Sequence, residues 1–449
     1  MRNLPLYQYS RTIGACIRYW CLSAMIIFTA QAAGAQDALT LQEASRRVLQ
    51  NNPELQVFQW RMQAADGVRQ TANLRPGLEL GIEAENILGS GEFSGTDRAE
   101  YTLSLSSLIE LGGKRQSRIA AANSRYALAQ IVREAQALDV LGQVTQRFIA
   151  ALALHGKLLV SEEATLLAKA SWQSVNQRVD RGAAPEVERL RAEASLTQAQ
   201  LRQSALEAEF ASQKVALATL WGAETTDFGT LTGDLYAFET AEAFDVLYQR
   251  VAESPAIQLF ATEARLRDAE LKLARSHSSS NVRWSVGIKQ FDDTGDSALT
   301  AGLSVPLFSA NRNRGNTQSA LAEREMVDYR KQATMLKLRA RLYEAWQTHQ
   351  QSVVAVKQLR ESVLPTLEKA LTQTRQAYEL GRYRYTDLVS VQRELLDARL
   401  AMIDAASTAL LNQALIEQLT AQPLVAGRAT AKQGSTELQS TTANNGRQN

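Results

Sequence analysis

The sequence is poor in cysteine and in aromatic residues, and each shortage excludes a class of protein. Its 449 residues include 2 cysteines, Cys16 and Cys21, and both precede the mature chain that we predict below. That mature chain therefore has no disulfide, no cysteine nucleophile and no cysteine-based metal site. Aromatic residues make up 6% of the sequence, a level typical of extended helices and coiled coils. The 49 basic and 47 acidic residues nearly cancel, so no bulk charge would attract nucleic acid.

Patterns that support catalysis or metal binding are also lacking. The three histidines, His155, His277 and His349, lie far apart in sequence and have no companion ligands at helical spacing. Serine and threonine are plentiful, but none has a recognisable histidine partner. We therefore predict no enzyme activity, no cofactor and no metal site, and we expect each histidine on the surface or on a helix face.

The first 35 residues are typical of a secretory signal. Arg2, Arg11 and Arg18 precede an apolar run over residues 19–30, and small residues at 33–35 provide a cleavage site. The run is about 12 residues long, well short of the ~20 that span a bilayer, although a short N-terminal anchor is the alternative. We expect no transmembrane helix later in the chain, so any membrane crossing requires strands.

After this signal, one plan occurs twice at an offset of roughly 200 residues, which predicts an internal duplication. Each copy reads as a helix, two short strands, a very long helix, a tight turn and a shorter helix. The first repeat is predicted at 37–222, and an equatorial segment with the second repeat at 223–426. Residues 427–449 are polar and are expected to be disordered.

Long helices are predicted wherever helix breakers are missing. Residues 114–181 contain no proline, and residues 186–221 contain neither glycine nor proline. In the second repeat the matching stretches are 318–380, broken only by Pro365, and 387–422. Helices of this length favour a helix bundle or a coiled coil over a globular core.

Four short segments alternate apolar and polar residues, and we predict strands there. Their approximate ranges are 77–87, 99–108, 282–291 and 297–305. One apolar and one polar face are what a membrane barrel strand requires, although a soluble hairpin packed on a helix shows the same alternation. Four strands are too few to close a barrel, and open edges in lipid leave backbone groups unpaired. The barrel interpretation therefore requires an oligomer.

Charged residues occupy the polar positions of these strands. They are Glu79, Glu83 and Glu85 in the first pair and Arg283 and Lys289 in the second. In a barrel these side chains would face a water-filled lumen. In a soluble hairpin they would face bulk water.

Several segments of the chain resemble the TolC-like outer membrane factors, and the resemblance covers both repeats. It is carried by residues 39–44 with 51–55, and by residues 378–381 with 385–388. Two strand-to-helix corners, at 105–115 and 303–315, are similar to the cobalt-zinc-cadmium branch of that family. These corners mark a change of chain direction and not a metal site.

The resemblance implies a mainly α fold with a small β part, assembled as a homotrimer. Four strands per protomer would form a twelve-stranded β-barrel in outer-membrane lipid, continuous with a trimeric α-helical periplasmic barrel. It also implies the outer membrane of a Gram-negative bacterium as the location. The implied partners are a periplasmic adaptor and an inner-membrane pump of the resistance-nodulation-division (RND) type.

The function implied is that of a passive, gated export duct in a tripartite efflux system, carrying divalent cobalt, zinc or cadmium. A channel of the same type for drug efflux or type I secretion remains an alternative. A periplasmic adaptor is an alternative of another class, although adaptors have one helical hairpin and this sequence predicts two. A secreted structural coiled coil is a third.

The resemblance places a gate at the helical tips, predicted at 181–186 and 380–387. Asp387 matches the first acidic position of the family's constriction, whereas the second position is Ser390, so the acidic ring would be thinner. Carboxylate rings favour cations. Asp387 at a helix N-terminus is equally expected as a cap, with or without a gating role.

The first tip offers weaker gate candidates. Glu186 and Glu188 hold the matching place, in a turn that we take to be about two residues shorter than the second. Gly182 and Gly381 are expected to form the two turns. Arg382 and Arg384 either pair with carboxylates across the tip or remain solvated surface charges.

Overall fold

The structure is a computed structural model that describes residues 38–239 and 242–422. The predicted signal at 1–35, with both cysteines, and the predicted tail at 427–449 lie outside the described residues.

The described chain repeats one order of helices and strands. The elements of the first repeat are β1 (Leu39–Thr40), α1 (Leu41–Asn51), α2 (Pro53–Asn73), β2 (Leu78–Glu85), β3 (Glu100–Ile109), α3 (Lys114–Asp180) and α4 (Glu186–Ala218). Those of the second are β4 (Leu231–Thr232), α5 (Phe244–Glu253), α6 (Pro255–Ser276), β5 (Val282–Phe291), β6 (Ser297–Ser304), α7 (Ser309–Gln358), α8 (Leu364–Glu379) and α9 (Tyr385–Thr420).

Two helix boundaries differ from those expected. Helix α7 begins at Ser309 and not near 318, because Gly315 stands in open space inside the helix and does not end it. A π-helical turn at Leu359–Val363 separates α7 from α8, just before Pro365, which has no amide to continue the hydrogen-bond ladder.

Strands and helices near the sheet are arranged in the same order. The four-stranded sheet is antiparallel with the order β2-β3-β5-β6, so β3 and β5 join the two repeats and β2 and β6 are its edges. The helices attached to these strands pack as α2 on α3, α3 on α6 and α6 on α7. These four helices therefore form a row in which α2 and α7 are outermost, on the same sides as the edge strands β2 and β6.

The sheet has one apolar and one charged face, and the apolar face is bare. Leu80 is 70% exposed and Leu299 is 88% exposed, on opposite edge strands. The same face contains Leu103 and Val286 of the central strands, each about half exposed. A sheet face of this kind is typical of contact with lipid or another protein.

The polar face is crowded around its glycines. A Cβ at Gly287 would lie 2.6 Å from the carbonyl oxygen of Leu103 and 2.9 Å from the Thr300 hydroxyl. A Cβ at Gly302 would lie 2.7 Å from the Ser285 hydroxyl. Only hydrogen fits at Gly287, because the obstructing atom belongs to the backbone, whereas at Gly302 the Ser285 hydroxyl would have to rotate away.

The strand-to-helix corners anchor the ends of neighbouring helices. Arg118, in the second turn of α3, donates to the carbonyls of Ala72 at 3.2 Å and Leu74 at 3.1 Å, at the end of α2. In the second repeat, the Asn313 amide donates to the carbonyl of Ala274 at 2.5 Å, near the end of α6. Both contacts satisfy carbonyls that a helix end leaves unpaired.

The main core lies where α3 passes between β1, paired in parallel with β4, and α9. Val140, Val144 and Phe148 of α3 are buried there with Trp221 and Phe228.

One 18-residue window of α3 has a mean hydropathy of 1.2, apolar enough to cross a membrane by composition, but 56% of that window is buried in the fold. The sequence was expected to contain no later stretch approaching a transmembrane helix; α3 approaches one in length and composition, as a core helix.

We predict that Gly287→Ala destabilises the protein, because its Cβ would overlap the Leu103 carbonyl. The expected loss is about 1–3 kcal/mol in the free energy of unfolding, measured by urea titration in detergent. Gly315→Ala is the matched control: it meets no atom within 4 Å and should leave stability unchanged or slightly raised. Equal effects of the two substitutions would contradict the steric account.

Candidate gate at the helical tips

The two helical tips have the same backbone geometry. Each turn contains five residues, at 181–185 between α3 and α4 and at 380–384 between α8 and α9. Gly182 and Gly381 have positive φ values of 69° and 72°. In each turn the amide after this glycine donates to the carbonyl five residues back, at 2.7 Å in the first and 2.8 Å in the second. This is the Schellman ending of a helix, which favours glycine at the left-handed position.

Equal turn lengths correct the expected correspondence between the tips. The first turn is not two residues shorter, so the third residue of α4, Glu188, is the match of Asp387, the third residue of α9. Glu186, at the first position of α4, matches Tyr385 instead. The Glu186 carboxylate pairs at 2.5 Å with Arg189 on its own helix.

Asp387 caps its helix. Its carboxylate accepts the Arg384 backbone amide at 3.0 Å, and the side chain is exposed. A carboxylate at this position also favours the positive end of the helix dipole. Ser390 lies about one turn further along α9, exposed, and its hydroxyl donates to Glu394 at 3.2 Å.

Two buried tyrosines join the tip hairpins. Tyr378 is 2% exposed and Tyr385 is 4% exposed, and their ring centroids lie 6.3 Å apart. The Tyr378 hydroxyl donates to the Glu188 carboxylate at 3.4 Å, which connects α8 to α4. The Arg178 guanidinium lies 4.5 Å from the Tyr378 ring centroid and donates to the Tyr378 carbonyl, which connects α3 to the same residue.

These surroundings change the titration of both phenols. Burial, and secondarily the negative charge of Glu188, raise the pKa of Tyr378 to about 12. Burial also raises the pKa of Tyr385, against a smaller lowering by a hydrogen bond with Ser195. Both phenols are therefore held in the neutral form, and the Tyr378 hydroxyl can donate to Glu188 at ordinary pH.

Of the two alternatives for Arg382 and Arg384, the structure shows exposed surface charges and not ion pairs across the tip. Both side chains are exposed, and neither has an ion-pair partner among residues 38–239 and 242–422 of the chain. The arginine that crosses between hairpins is Arg178, whose guanidinium lies against a buried ring. An exposed pair gains little free energy, whereas a cation over a buried aromatic ring gains more.

The charged residues predicted on the strands share one face of the sheet, opposite the bare apolar face. Arg283 pairs with Glu79 at 2.6 Å, and Lys289 pairs with Glu85 at 2.5 Å and with Glu100 at 2.7 Å. Glu83 lies on the same face and has no ion-pair partner within the described part of the chain. This face therefore carries fixed charges of both signs.

No metal centre is built into the residues that the structure describes. Among them, no group of three or more His, Cys, Asp or Glu side chains is arranged to hold an ion. His349 is 3% exposed and not on the surface, and its Nδ1 lies 2.9 Å from the Ala409 carbonyl oxygen. His155 stacks on Phe210 at 5.3 Å between ring centroids.

Sequence reasoning missed part of the tip. Tyr378 and Tyr385 entered only as part of the segments that carry the family resemblance, and Arg178 was not considered. Aligning the two tips on Gly182 and Gly381 would have matched Glu188 with Asp387. No such alignment predicts the contact between Tyr378 and Glu188, because it depends on how the two hairpins pack.

Comparison with known proteins places these features in context. A family model described as "Outer membrane efflux protein" matches residues 44–223. The cobalt-zinc-cadmium resistance protein CzcC of Cupriavidus metallidurans is 26% identical over 378 residues, which are 84% of this chain and 88% of that protein. The pyoverdine export outer membrane protein OpmQ of Pseudomonas putida is 27% identical over 283 residues, 57% of this chain and 58% of that one.

Solved structures show the same fold. The outer-membrane channel OprN superimposes with a TM-score of 0.72 at 18% identity, covering 86% of this chain and 90% of that chain. The architecture predicted from the resemblance, a mainly helical outer-membrane channel fold with few strands, is confirmed at this level.

We predict that the tip loses stability between pH 10 and pH 12. The pKa of Tyr378 is raised to about 12, so its contribution is complete below pH 10 and is lost as pH rises through the folded-state value. The free energy of unfolding, from urea titrations at several pH values, should fall less over this interval in Tyr378→Phe than in the native protein. Tyr383→Phe, at an exposed tyrosine of the same turn, should follow the native protein, and an identical fall in all three would refute the assignment.

Proposed function

We propose that the chain is a member of the outer membrane efflux protein family and forms the passive, gated channel subunit of a tripartite efflux system. The observation that carries this proposal is the four-stranded sheet with a bare apolar face and a charged opposite face. Such a sheet is suited to lipid on one side and water on the other.

Closure of the barrel requires further copies of the chain. The sheet ends in two open edges, β2 and β6, and unpaired backbone groups in lipid cost several kcal/mol each. Three protomers would contribute twelve strands. In that homotrimer, Glu79, Glu83, Glu85, Arg283 and Lys289 line a water-filled lumen, and outer-membrane lipid covers the apolar face.

Helices continue this duct away from the sheet. Helix α3 has 67 residues, about 100 Å at 1.5 Å per residue, far more than the sheet itself needs. The tips at 181–185 and 380–384 lie at the distal end, where a periplasmic adaptor and an inner-membrane RND pump would dock.

The gate is the tip, and Tyr378 holds it closed. Its hydroxyl and ring join α8 to both Glu188 and Arg178, so outward movement of α8 and α9 must break these contacts. A Tyr–carboxylate hydrogen bond and one cation–π contact cost only a few kcal/mol to break, within reach of adaptor binding. Energy coupling would reside in the partners.

Asp387 acts at this constriction as well as capping α9. Three exposed carboxylates, one per protomer, would attract cations to a narrow opening. Ser390 adds no charge, so the ring is single. Glu188 accepts the hydrogen bond from Tyr378, so it stabilises the packing of the tip and does not form a second acidic ring.

The proposed cargo is divalent cobalt, zinc or cadmium. CzcC, a cobalt-zinc-cadmium resistance protein, aligns with 84% of this chain, which supports that choice. OpmQ, a pyoverdine export protein, aligns over a shorter part and favours an organic cargo as the second candidate.

Growth of a deletion strain tests the cargo. The strain should be inhibited by zinc, cobalt or cadmium at lower concentrations than its parent, and a plasmid copy should restore growth. Unchanged metal tolerance with sensitivity to siderophore accumulation or hydrophobic drugs would favour the second candidate and leave the channel standing.

Asp387 substitutions separate the gate from the cap. In planar bilayers, Asp387→Asn should lower the cation-to-anion permeability ratio while retaining the oxygen that accepts the Arg384 amide. Stability should then fall only by the helix-dipole contribution of the lost charge, about 0.3–1 kcal/mol. Asp387→Ala should lower the ratio equally and also cost about 0.5–2 kcal/mol of stability.

Glu186→Gln is the matched control, since this carboxylate pairs on its own helix and should leave selectivity unaltered. If Asp387→Asn keeps the native cation-to-anion permeability ratio, Asp387 is a helix cap and has no role in selectivity.

A further inference from the structure

The connections between the sheet and the helices carry an excess of positive charge. They are the junction segments 73–77, 109–118, 275–281 and 305–316, each taken with the adjoining helix end. These segments contain seven lysines and arginines but one acidic residue, Glu110, although basic and acidic residues nearly cancel over the whole chain. The seven are Arg75, Lys114, Arg115, Arg118, Arg275, Arg312 and Arg314. Every segment contributes at least one, so the charge extends across the width of the sheet.

Arginines at four of these positions are exposed and have no ion-pair partner within residues 38–239 and 242–422. They are Arg75, Arg275, Arg312 and Arg314. Others of the seven are used within the fold, as where Arg118 pairs with Glu110 at 2.6 Å and Arg115 donates to the Asn73 carbonyl at 2.9 Å. The four exposed charges are therefore left for a partner outside the described chain.

Helix stability does not account for this charge. The positive end of a helix dipole favours carboxylates and disfavours cations. Helices α1, α2, α4, α5 and α9 each have an acidic residue in the first turn. Helix α3 instead begins with Lys114 and Arg115, and α7 has no acidic residue there but two arginines in its first two turns. A local rule broken at the same place in both repeats indicates a function.

Phe308 shows a second departure from local stability at the same level. It immediately precedes α7 with a φ of 60°, a left-handed value that is costly for a bulky residue, and its side chain is 74% exposed. The residue before α3 is Gly113, whose φ of 68° involves no such strain. An aromatic ring in this setting is unfavourable in water and favourable at a membrane surface, where such rings are enriched.

Phe308 and Arg312 lie on the same face of the row of helices. The Asn313 amide donates to the Ala274 carbonyl, so Asn313 points from α7 toward α6. Arg312 and Arg314 lie about 100° to either side of Asn313 and project from opposite faces of the row. Phe308 precedes Arg312 by one helical turn and shares its side, which we call the Phe308 face.

A line of ion pairs follows this face across three helices. Glu323, three turns after Arg312, lies on the same side of α7 and pairs with Arg267 of α6 at 3.1 Å. Arg267 also pairs with Glu270 at 2.9 Å, and Glu270 pairs with Arg125 of α3 at 2.6 Å. Arg125 is therefore on the Phe308 face.

Arg75 belongs to the same face. It lines a cleft between α2 and α3 together with Arg125 and Leu74. Leu74 is 64% exposed in an extended conformation, four residues before Leu78, and is thus in phase with the apolar side chains of β2. The Phe308 face of the helices is therefore continuous with the bare apolar face of the sheet.

We propose that Arg75, Arg312 and Phe308 bind anionic phospholipids at the boundary of the membrane. The proposal rests on the proposed channel function and names the class of lipid that this boundary selects. Each guanidinium pairs with a lipid phosphate where the apolar sheet face ends, and the Phe308 ring packs on the first carbons of the acyl chains. A zwitterionic headgroup carries its own cation, which competes with the arginines, so it binds less.

Lipid selectivity tests the proposal directly. The full chain is reconstituted in phosphatidylcholine vesicles with a trace of spin-labelled lipid, and electron paramagnetic resonance measures the lipid that the protein immobilises. Spin-labelled phosphatidylglycerol should associate about fivefold more strongly than spin-labelled phosphatidylcholine, the factor expected of one arginine at an anionic membrane surface. Sodium chloride at about 1 M should remove most of this preference by screening.

Two double variants separate the Phe308 face from the opposite face. Arg75→Gln with Arg312→Gln should lower the preference for phosphatidylglycerol to below about twofold. Arg275→Gln with Arg314→Gln is the matched control, since it removes the same charge at the same level and should keep the native preference. Arg275 lies about 140° around α6 from Glu270, so it projects from the face opposite Phe308. Equal losses in the two double variants would overturn the assignment to the Phe308 face.

A nitroxide attached at Phe308→Cys tests the position of the ring, with Cys16 and Cys21 replaced by serine. Its collisions with oxygen should exceed those with a water-soluble nickel complex, as at Leu303→Cys on the apolar face of β6. Tyr383→Cys, at an exposed tyrosine of the tip, is the aqueous control and should show the reverse. Aqueous behaviour at position 308, or shielding from both reagents, would contradict contact with lipid.

Failure of the lipid site and failure of the channel give different results. If the native chain immobilises both lipids equally and restores metal tolerance to the deletion strain, the lipid site is wrong and the function stands. If it immobilises neither lipid and does not restore tolerance, the proposed channel fails and the lipid site with it.

Discussion

Unpaired backbone groups at the edges of the four-stranded sheet are the constraint on which the rest of the molecule depends. Strands β2 and β6 each present a row of amides and carbonyls that no part of the described chain satisfies. In water such edges are tolerated, but the bare apolar face indicates a place without water, where each unpaired group is costly. In the proposed channel, neighbouring copies supply the missing strands. Helix order follows strand order, so closing the sheet in that assembly would also close the row of helices.

A different constraint acts on the tips, because in the proposed channel they lie in water and have to move. Glycine turns end α3 and α8 identically, and each following helix begins with an acidic residue at its third position. The carboxylates at these two positions make different contacts. Glu188 accepts the hydroxyl of buried Tyr378, whereas Asp387 stays exposed and caps its own helix. The duplication thus yields one structural carboxylate and one that is free to face the passage.

Sequence patterns predicted the strands and turns, because both depend on residues close together in the sequence. Alternation indicated the four strands because the sheet has one apolar and one polar face, and the glycines at 182 and 381 indicated the turns because only glycine adopts their φ without strain. The start of α7 was misplaced since Gly315 looked like a breaker, and a helix in open space tolerates it. The tyrosine contacts and the lack of ion pairs at Arg382 and Arg384 depend on how separate hairpins pack, which periodicity does not encode.

Hydrogen exchange at the sheet edges tests the central claim most directly. With the protein reconstituted in lipid, the amides of β2 and β6 should exchange as slowly as those of the central strands β3 and β5, because neighbouring copies pair with them. In detergent-dissociated monomer the same two strands should exchange much faster than β3 and β5. Rapid exchange at β2 and β6 in the lipid-reconstituted protein would mean that the edges remain open, and it would contradict the closed channel.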